Sequence, residues 1–280
     1  KRQWPLLYMM DFGQPAPITQ NLIIINVIML FATTMLAKNV DLVRWLGLFY
    51  PASDYFHPYQ FLSHMFMHGG MMHLFFNMFA LWMFGRRLEA TWGPKRYLIF
   101  YFVTGLGAAA IHMYVNYLEI GPMMKAAEAF INTPSPELFT TFVNKYQTEI
   151  KTLGFSLPSV IDFSMAWIDA PSTQGYETEA LRFVEQLVQK KINIPTVGAS
   201  GAVYGVLLGF GMLFPNTQLM LIFPPIAIKA KWMVIAYGAI ELFSGLANAT
   251  SNIAHFAHLG GMLFGFILIK YWNKNSRHFY

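Results

Sequence analysis

The stretch PTVGASGAVYG, residues 195–205, places Ser200 among small residues at the predicted start of an apolar helix. Three interpretations are open for such a serine: a helix cap, a packing residue or a nucleophile. Backbone N–H groups at a helix start lack intrahelical partners, and the helix dipole favours negative charge there. Gly198, Ala199 and Gly201 leave room for a substrate backbone beside the hydroxyl. By itself the motif favours close helix packing, the usual purpose of small residues in membrane helices.

The composition indicates a chain whose solvent is partly lipid. Of 280 residues, 55% are hydrophobic and 12% are charged, whereas a soluble domain carries about 25% charged residues. Cysteine is absent from the sequence, which excludes disulfides and thiolate metal sites. The net charge of +5 does not indicate a nucleic-acid partner, because the basic residues lie at the ends of apolar segments. The sequence begins with Lys1 rather than Met, so we expect residues before it, and residues 1–18 predict no signal peptide.

Six apolar segments predict an all-α membrane protein with six transmembrane helices. They cover residues 19–37, 69–85, 96–118, 198–214, 232–247 and 255–272. The second, fourth and fifth are short for a span, which needs about 17–25 residues. Their Gly, His, Asn and Ser content predicts a compact bundle with a hydrated interior.

The lysine and arginine distribution predicts the orientation. With six spans, both termini and the loops at 86–95 and 215–231 share one side and carry most of the basic residues. The short loops on the other side carry only Lys38 and Arg44. Under the positive-inside rule, both termini are therefore cytoplasmic.

An insert at residues 119–197 has a different composition and holds most of the 14 acidic residues. Residues 135–151 predict a helix with Ser135 as N-cap and Pro136 at its first position. Residues 178–191 predict a second helix, whose apolar stripe consists of Leu181, Val184, Leu187 and Val188. We expect these stripes to rest on the bundle or in the lipid interface, because they cannot bury themselves alone.

The predicted domains follow from this insert, which interrupts one bundle on its extracytoplasmic side. Residues 1–118 form the first three spans with the first loop, 119–197 form the amphipathic helical insert, and 198–280 form the last three spans and a basic tail.

The sixth segment offers a base for Ser200. His258 has Gly261 at i+3 and Gly265 at i+7, nearly on one helix face. The facing stripe on the fourth segment consists of Gly201, Gly205 and Gly209. Two such stripes allow close helix approach, which would bring the imidazole to the hydroxyl. His255 is a competitor one turn earlier and further from the stripe, and we interpret it as a loop or packing residue.

The second segment offers hydrogen-bond donors. His73 and Asn77 are four residues apart on one helix face, as an oxyanion site requires, although polar contacts between helices would use the same residues. His64 and His68 are also four residues apart, a spacing that two histidine ligands of one metal ion can have. Since no HExxH motif, thiolate or nearby carboxylate completes a zinc set, we expect neither metal nor cofactor.

Together these motifs resemble the rhomboid family of intramembrane serine proteases. The resemblance is carried by GASGAVYG at 198–205, AHLGG at 257–261, the HxxxHxxxxHxxxN pattern at 64–77 and GRRLEATWGPKRYLIFYFVTG at 85–105. It covers residues 19–118 and 196–272. It implies a six-helix rhomboid bundle with a Ser–His dyad and without a triad aspartate.

Matched residue by residue, the resemblance implies that Ser200 is the nucleophile and His258 the general base. The implied oxyanion site consists of His73, Asn77 and the backbone N–H of Ser200. Supporting positions include an aromatic residue stacked on the imidazole, close-packing glycines and structural histidines. These are Tyr204, Gly198, Gly201, Gly261, His64 and His68.

Two features depart from the family. Its common Trp-Arg pair in the first loop is Tyr59-Gln60 here, which leaves the interfacial docking of that loop open. The insert is also long for the family.

The resulting interpretation is a serine endopeptidase of the rhomboid type in a bacterial inner membrane. Its partners would be transmembrane protein substrates and membrane lipid, with no nucleic acid and no metal. One alternative is a non-catalytic rhomboid-fold protein that binds transmembrane clients. Another is a transporter, which predicts acidic residues inside spans, where Glu241 stands alone.

Overall fold

The computed structural model describes residues 15–220, 226–247 and 252–275, and these are mostly helical. The helices are α1 Pro17–Leu36, α2 Leu42–Leu46, α3 Gln60–Ser63, α4 Met71–Ala80, α5 Arg86–Trp92, α6 Pro94–Asn132, α7 Pro136–Lys145, α8 Gln147–Thr152, α9 Leu157–Asp169, α10 Tyr176–Ile192, α11 Ser200–Leu213, α12 Ala230–Ala247 and α13 Asn252–Asn275. A 3₁₀ turn covers His64–Phe66 and a π-helical segment covers Leu81–Gly85. Strands β1 Gln218–Met220 and β2 Ala227–Lys229 pair antiparallel, with Leu219 opposite Ile228.

Each predicted apolar segment lies on a helix or a continuous helical run. Two of the described helices, α1 and α6, are long and apolar enough to cross a membrane, and α11 is a shorter apolar helix. The count of six spans stays a prediction. The second segment belongs to a run from α4 through the π-helical segment to α5, which ends at Gly93 with a φ of 81°. Glycine tolerates this left-handed conformation, and Pro94 then begins α6.

Contacts between residues divide the chain into two compact units. The first consists of Lys1–Leu48, Pro58–His112 and Thr196–Tyr280. The second consists of Phe49–His57 and Met113–Pro195. The second unit therefore includes the nine-residue stretch 49–57 of the first loop as well as residues 119–195 of the insert. Within this unit, the Ser53 hydroxyl donates to the Asn193 side chain at 2.5 Å.

The core of the first unit is centred on the contact between α11 and α13. A Cβ at Gly261 would overlap the carbonyl oxygen of Gly201, and a Cβ at Gly265 would lie 3.5 Å from the Cα of Gly205. The two glycine stripes therefore face each other at backbone contact. Large side chains fill the space around them, including Phe84, Leu88, Tyr97, Phe100, Tyr101, Val206 and Phe210.

The start of α1 is tied to α5 by a buried carboxylate. The backbone N–H groups of Ile18 and Thr19 donate to Glu89 at 2.9 and 2.8 Å, and the Thr19 hydroxyl donates at 2.7 Å. These are first-turn groups without intrahelical partners, so the glutamate satisfies them and complements the helix dipole. The start of α1 and helix α5 consequently lie at the same end of the bundle.

The second unit has an apolar core of its own. Its buried members include Met123, Phe130, Phe139, Phe142, Val143, Ile150, Trp167, Val184 and Leu187. The expectation that the insert's stripes must rest on the bundle or on lipid is therefore wrong for Val184 and Leu187, which are fully buried inside this unit. The α6, α7, α9 and α10 faces cover one another, which the sequence of each helix alone could not reveal.

Two helix boundaries in this unit can be compared with the sequence. Ser135 caps α7 by accepting from the Leu138 N–H at 3.2 Å, and Pro136 occupies the first turn, as predicted. The predicted helix 135–151 is interrupted at Tyr146, where φ is −112° and ψ is 29°. Helix α6 continues through Pro122, although proline removes an N–H donor and usually breaks a helix.

Candidate active site

Ser200 is the first residue of α11 and follows a sharp turn of the backbone. Gly198 has a φ of 133°, a conformation open to glycine but strained for other residues, and its N–H donates to the His64 carbonyl at 2.9 Å. This bond fixes the chain just before the helix. Because Ser200 begins the helix, its own N–H is among the groups without an intrahelical acceptor.

The hydroxyl of Ser200 lies against an imidazole from α13. His258 Nε2 is 2.9 Å from Ser200 Oγ, a normal hydrogen-bond distance. The pair lies beside the contact between Gly201 and Gly261, which brings α11 and α13 close enough for the two side chains to meet. An imidazole in this position can accept the hydroxyl proton.

Tyr204, one turn after the serine, stacks on His258. The ring centroids are 4.1 Å apart and the planes differ by 8°. The tyrosine therefore fixes the plane of the imidazole, so that rotation of the ring away from Ser200 would lose this contact.

His73 from α4 faces the same turn. A Cβ at Gly198 would lie 3.1 Å from His73 Nε2 and 3.7 Å from Ser200 Oγ, so the ring edge and the hydroxyl border one small space. The Gly69 N–H donates to His73 Nδ1 at 3.4 Å, which makes Nδ1 the acceptor and leaves the proton of the neutral ring on Nε2. That nitrogen borders the space beside Ser200.

Asn77 lies on the His73 face of α4 but is held differently. Its Nδ2 donates to the His73 carbonyl at 2.9 Å, one turn back in the same helix, and the side chain is largely buried. An amide nitrogen carries two hydrogens, and this bond uses one of them.

His64 and His68 are buried beside this turn. The His64 ring contacts the Gln60 carbonyl at 2.8 Å, and the His68 ring meets His73 edge to face at 5.1 Å between centroids. Burial lowers the pKa of each to about 4, and for His68 the nearby His73 adds to the effect. Both rings are therefore neutral at pH 7. Among the described residues, no group of three His, Cys, Asp or Glu side chains is arranged to hold a metal ion.

Glu241 of α12 is a site residue that the motifs did not identify. Its Oε1 accepts a hydrogen bond from the Tyr204 hydroxyl, and its Oε2 lies 2.6 Å from His255 Nδ1 and 3.1 Å from His258 Nδ1. The sequence did contain a signal for this residue, because Glu241 is an ionisable side chain inside a predicted span, and such a side chain indicates function by default. His255 is accordingly not a loop residue, because it lies on α13 and is paired with this carboxylate.

The protein is thus mostly helical, and two of its apolar helices pack closely. Ser200 and His258, one from each of these helices, are hydrogen-bonded beside the buried Glu241. The sequence model of the Rhomboid domain matches residues 55–124 and 175–274, which is more than half of the chain. The chain belongs to the rhomboid family, and this membership implies an integral membrane protein.

Individual relatives are distant and are matched over part of their length. Rhomboid protease GlpG of Yersinia pestis (strain Pestoides F) is 24% identical over 94 residues, 34% of this chain and 34% of that protein. GlpG of Yersinia pseudotuberculosis serotype I (strain IP32953) gives the same values. Rhomboid protein 1, mitochondrial, of Saccharomyces cerevisiae (strain ATCC 204508 / S288c) is 34% identical over 80 residues, 29% of this chain and 23% of that protein. The match covers about a third of the length of the GlpG relatives.

Proposed function

We propose that this chain is an intramembrane serine endopeptidase that cleaves transmembrane protein substrates through Ser200 and His258. The observation that carries the proposal is the 2.9 Å separation between Ser200 Oγ and His258 Nε2. Membership of the rhomboid family and the partial similarity to two proteins named rhomboid protease support it.

In the first step, Ser200 Oγ attacks the carbonyl carbon of the scissile bond while its proton passes to His258 Nε2. The electron pair of the carbonyl moves to oxygen, and the imidazolium then gives its proton to the departing amine. Water, deprotonated by the same nitrogen, then attacks the acyl carbon. The ester bond to Ser200 Oγ breaks, Oγ takes the proton back from His258, and the second product leaves as a carboxylic acid. Water and substrate reach the pair from the extracytoplasmic side.

Donors for the developing oxyanion are available around the hydroxyl. The backbone N–H of Ser200, His73 Nε2 and the amide of Asn77 form the proposed oxyanion site. The closeness of His73 Nε2 to the Gly198 turn supports this role, because oxyanion donors act from fixed positions close to the reacting atom.

The proposed topology has six spans and cytoplasmic termini in a bacterial inner membrane. The bond between Glu89 and the start of α1 supports the alternation, because it places the loop after the second segment at the same end as the beginning of the first.

The test uses the detergent-solubilised protein with a fluorogenic transmembrane peptide. Ser200→Ala and His258→Ala should each abolish cleavage, whereas His255→Ala should keep a measurable fraction, because His255 does not contact the hydroxyl. The melting temperature of each variant is compared with that of the wild type, to check that the variant folds. An inactive His255→Ala with an active His258→Ala would show that His255, and not His258, is the base. Cleavage by Ser200→Ala equal to that of the wild type would exclude Ser200 as the nucleophile, and no cleavage by the folded wild type would favour a non-catalytic binder of transmembrane clients.

A further inference from the structure

We propose that Glu241 is a positioning residue for His258, holding the imidazole with its proton on Nδ1 and its lone pair on Nε2 towards Ser200. The inference rests on the proposed function, since it concerns the same pair. It goes beyond a serine–histidine dyad by giving the base a third, acidic partner from α12.

The two ring nitrogens of His258 face different partners. Nε2 lies 2.9 Å from Ser200 Oγ and Nδ1 lies 3.1 Å from Glu241 Oε2. The carboxylate, ring and hydroxyl therefore stand in sequence across three helices, α12, α13 and α11. A carboxylate accepts hydrogen bonds and donates none, so a neutral His258 beside it carries its proton on Nδ1. Only that tautomer leaves Nε2 free to accept the serine proton.

Other contacts hold the carboxylate in place. Tyr204 donates to Oε1 and His255 contacts Oε2 at 2.6 Å, while the whole residue is only 7% exposed. A carboxylate buried among apolar helices is expensive unless it is paired, and here each oxygen has a partner. Tyr204 also stacks on His258, so one tyrosine fixes both the plane of the ring and the position of the acid.

His258 Nδ1 and Glu241 Oε2 are close enough for an ion pair, but they are not aligned as a good hydrogen bond requires. Of the two histidines, His255 has the better-aligned bond to Glu241 in the resting protein. Catalytic hydrogen bonds are often long before substrate binds. When Ser200 attacks, the proton moves from Oγ to Nε2 and His258 becomes a cation, and the attraction between Nδ1–H and Oε2 then increases. Glu241 itself stays ionised throughout.

A purely structural role is the competing explanation. By contacting Tyr204 and His255, Glu241 links α11, α12 and α13, so its loss would also weaken the packing of these helices. Melting temperature cannot separate the two roles. The pH dependence of turnover and the tautomer of His258 can, because a simple link between helices affects neither.

The titratable groups around His258 must be separated in such a test. His255 and Tyr204 contact the same carboxylate, Tyr237 lies one turn before Glu241 on α12, and His73 from α4 interacts electrostatically with His258. His255 is the strongest competitor, since it would also respond to removal of the carboxylate. Each measurement is therefore repeated in a His255→Gln background.

The decisive variant is Glu241→Gln, compared with Glu185→Gln on the exposed surface of α10, which makes the same chemical change. Both are assayed with the fluorogenic transmembrane peptide from pH 5 to 9. We expect Glu241→Gln to lower kcat roughly 10²-fold with KM nearly unchanged, less than the roughly 10⁴-fold seen when a well-aligned triad carboxylate is neutralised. The acid limb of its kcat–pH profile should differ from that of the wild type, since the imidazolium loses its counter-charge. Glu241→Asp should recover part of kcat.

The proposal is overturned if Glu241→Gln, with or without His255→Gln, keeps the wild-type kcat and acid limb and loses only thermal stability. Should Glu241→Gln fail to fold, ¹⁵N NMR of histidine-labelled full-length chain carrying His255→Gln reports the His258 tautomer directly. A proton on Nδ1 supports the proposal and a proton on Nε2 overturns it. If the wild type shows no Ser200-dependent cleavage, the proposed function fails, and the NMR result still decides the contact between Glu241 and His258.

Discussion

The two side-chain donors proposed for the oxyanion share one face of α4 but differ in their surroundings. His73 Nε2 borders the space between Gly198 and Ser200, and the ring is oriented by the Gly69 N–H. Asn77 donates one of its two amide hydrogens to the His73 carbonyl, which leaves the second available to donate to the oxyanion. The geometry therefore favours His73 as the stronger contributor.

We predict that His73→Ala lowers kcat by roughly 10²–10³, the usual loss when one oxyanion donor is removed. Asn77→Ala should lower it less, because the backbone N–H of Ser200 and His73 remain. Turnover of the fluorogenic transmembrane peptide gives kcat, and thermal melting in detergent checks that each variant folds. Unchanged turnover in the double variant would exclude the oxyanion role and favour packing between helices.

The sequence could predict some of these residues and not others. Ser200 and His258 lie beside glycine stripes whose helical spacing can be recognised in the sequence. The close packing of their two helices could therefore be predicted. Glu241 could be recognised only as a charge in an apolar segment, because its partner depends on how α12 is rotated against α13. Neither helix has a marked polar face that would fix this rotation from the sequence. The interpretation of His255 as a loop residue is wrong because α13 begins at Asn252, before this histidine.

At the level of helices, the contact between α11 and α13 sets the distance from Ser200 to His258. No Cβ can be accommodated at Gly261, because it would overlap the carbonyl oxygen of Gly201. Any side chain there must push the two helices apart. Displacements of about 1 Å at a catalytic pair can lower rates by 10²-fold.

We therefore predict that Gly261→Ala lowers kcat by roughly 10²-fold and also lowers the melting temperature. The matched control is Gly238→Ala on α12, whose added Cβ would lie 3.4 Å from Met262 Cε, an ordinary contact. Both substitutions raise intrinsic helix propensity by about the same amount, roughly 1 kcal/mol, so propensity cancels in the comparison. Equal activities of the two variants would show that the α11–α13 contact does not position the pair.

Helix boundaries were less predictable than helix faces. The cap at Ser135 follows from local chemistry. The serine hydroxyl accepts a hydrogen bond from a first-turn N–H, and the φ of Pro136 already suits the first helical position. The continuation of α6 through Pro122 and the break at Tyr146 have no such local signal. They occur where the apolar residues of the second unit pack, so tertiary contacts determine them.

At the level of the whole molecule, the two units have separate apolar cores. Among the described residues, none of the members of the first core comes from 123–191, and the second core draws on α6, α7, α9 and α10. The catalytic pair lies in the first unit. Removing the insert should therefore leave the bundle folded.

We predict that replacing 123–191 by a short Gly/Ser linker preserves hydrolysis of a small soluble peptide ester but changes cleavage of a full transmembrane substrate. The reason is that the insert enters just before Ser200 and lies on the side from which substrate arrives in the proposed topology. The ratio of kcat/KM for the two substrates is the readout. An equal effect on both would show that the insert has no part in access or selection, since loops tolerate such insertions at small cost.

The measurement that tests the central claim most directly uses the purified chain reconstituted in liposomes with a single-span protein substrate. Mass spectrometry of the products locates the cleaved bond, and Ser200→Ala in matched liposomes is the control. We predict two products from one bond within or at the edge of the substrate's transmembrane segment, and none with Ser200→Ala. An intact substrate with the folded wild-type chain, or the same products with Ser200→Ala, would contradict the assignment of this chain as a serine protease acting in the membrane.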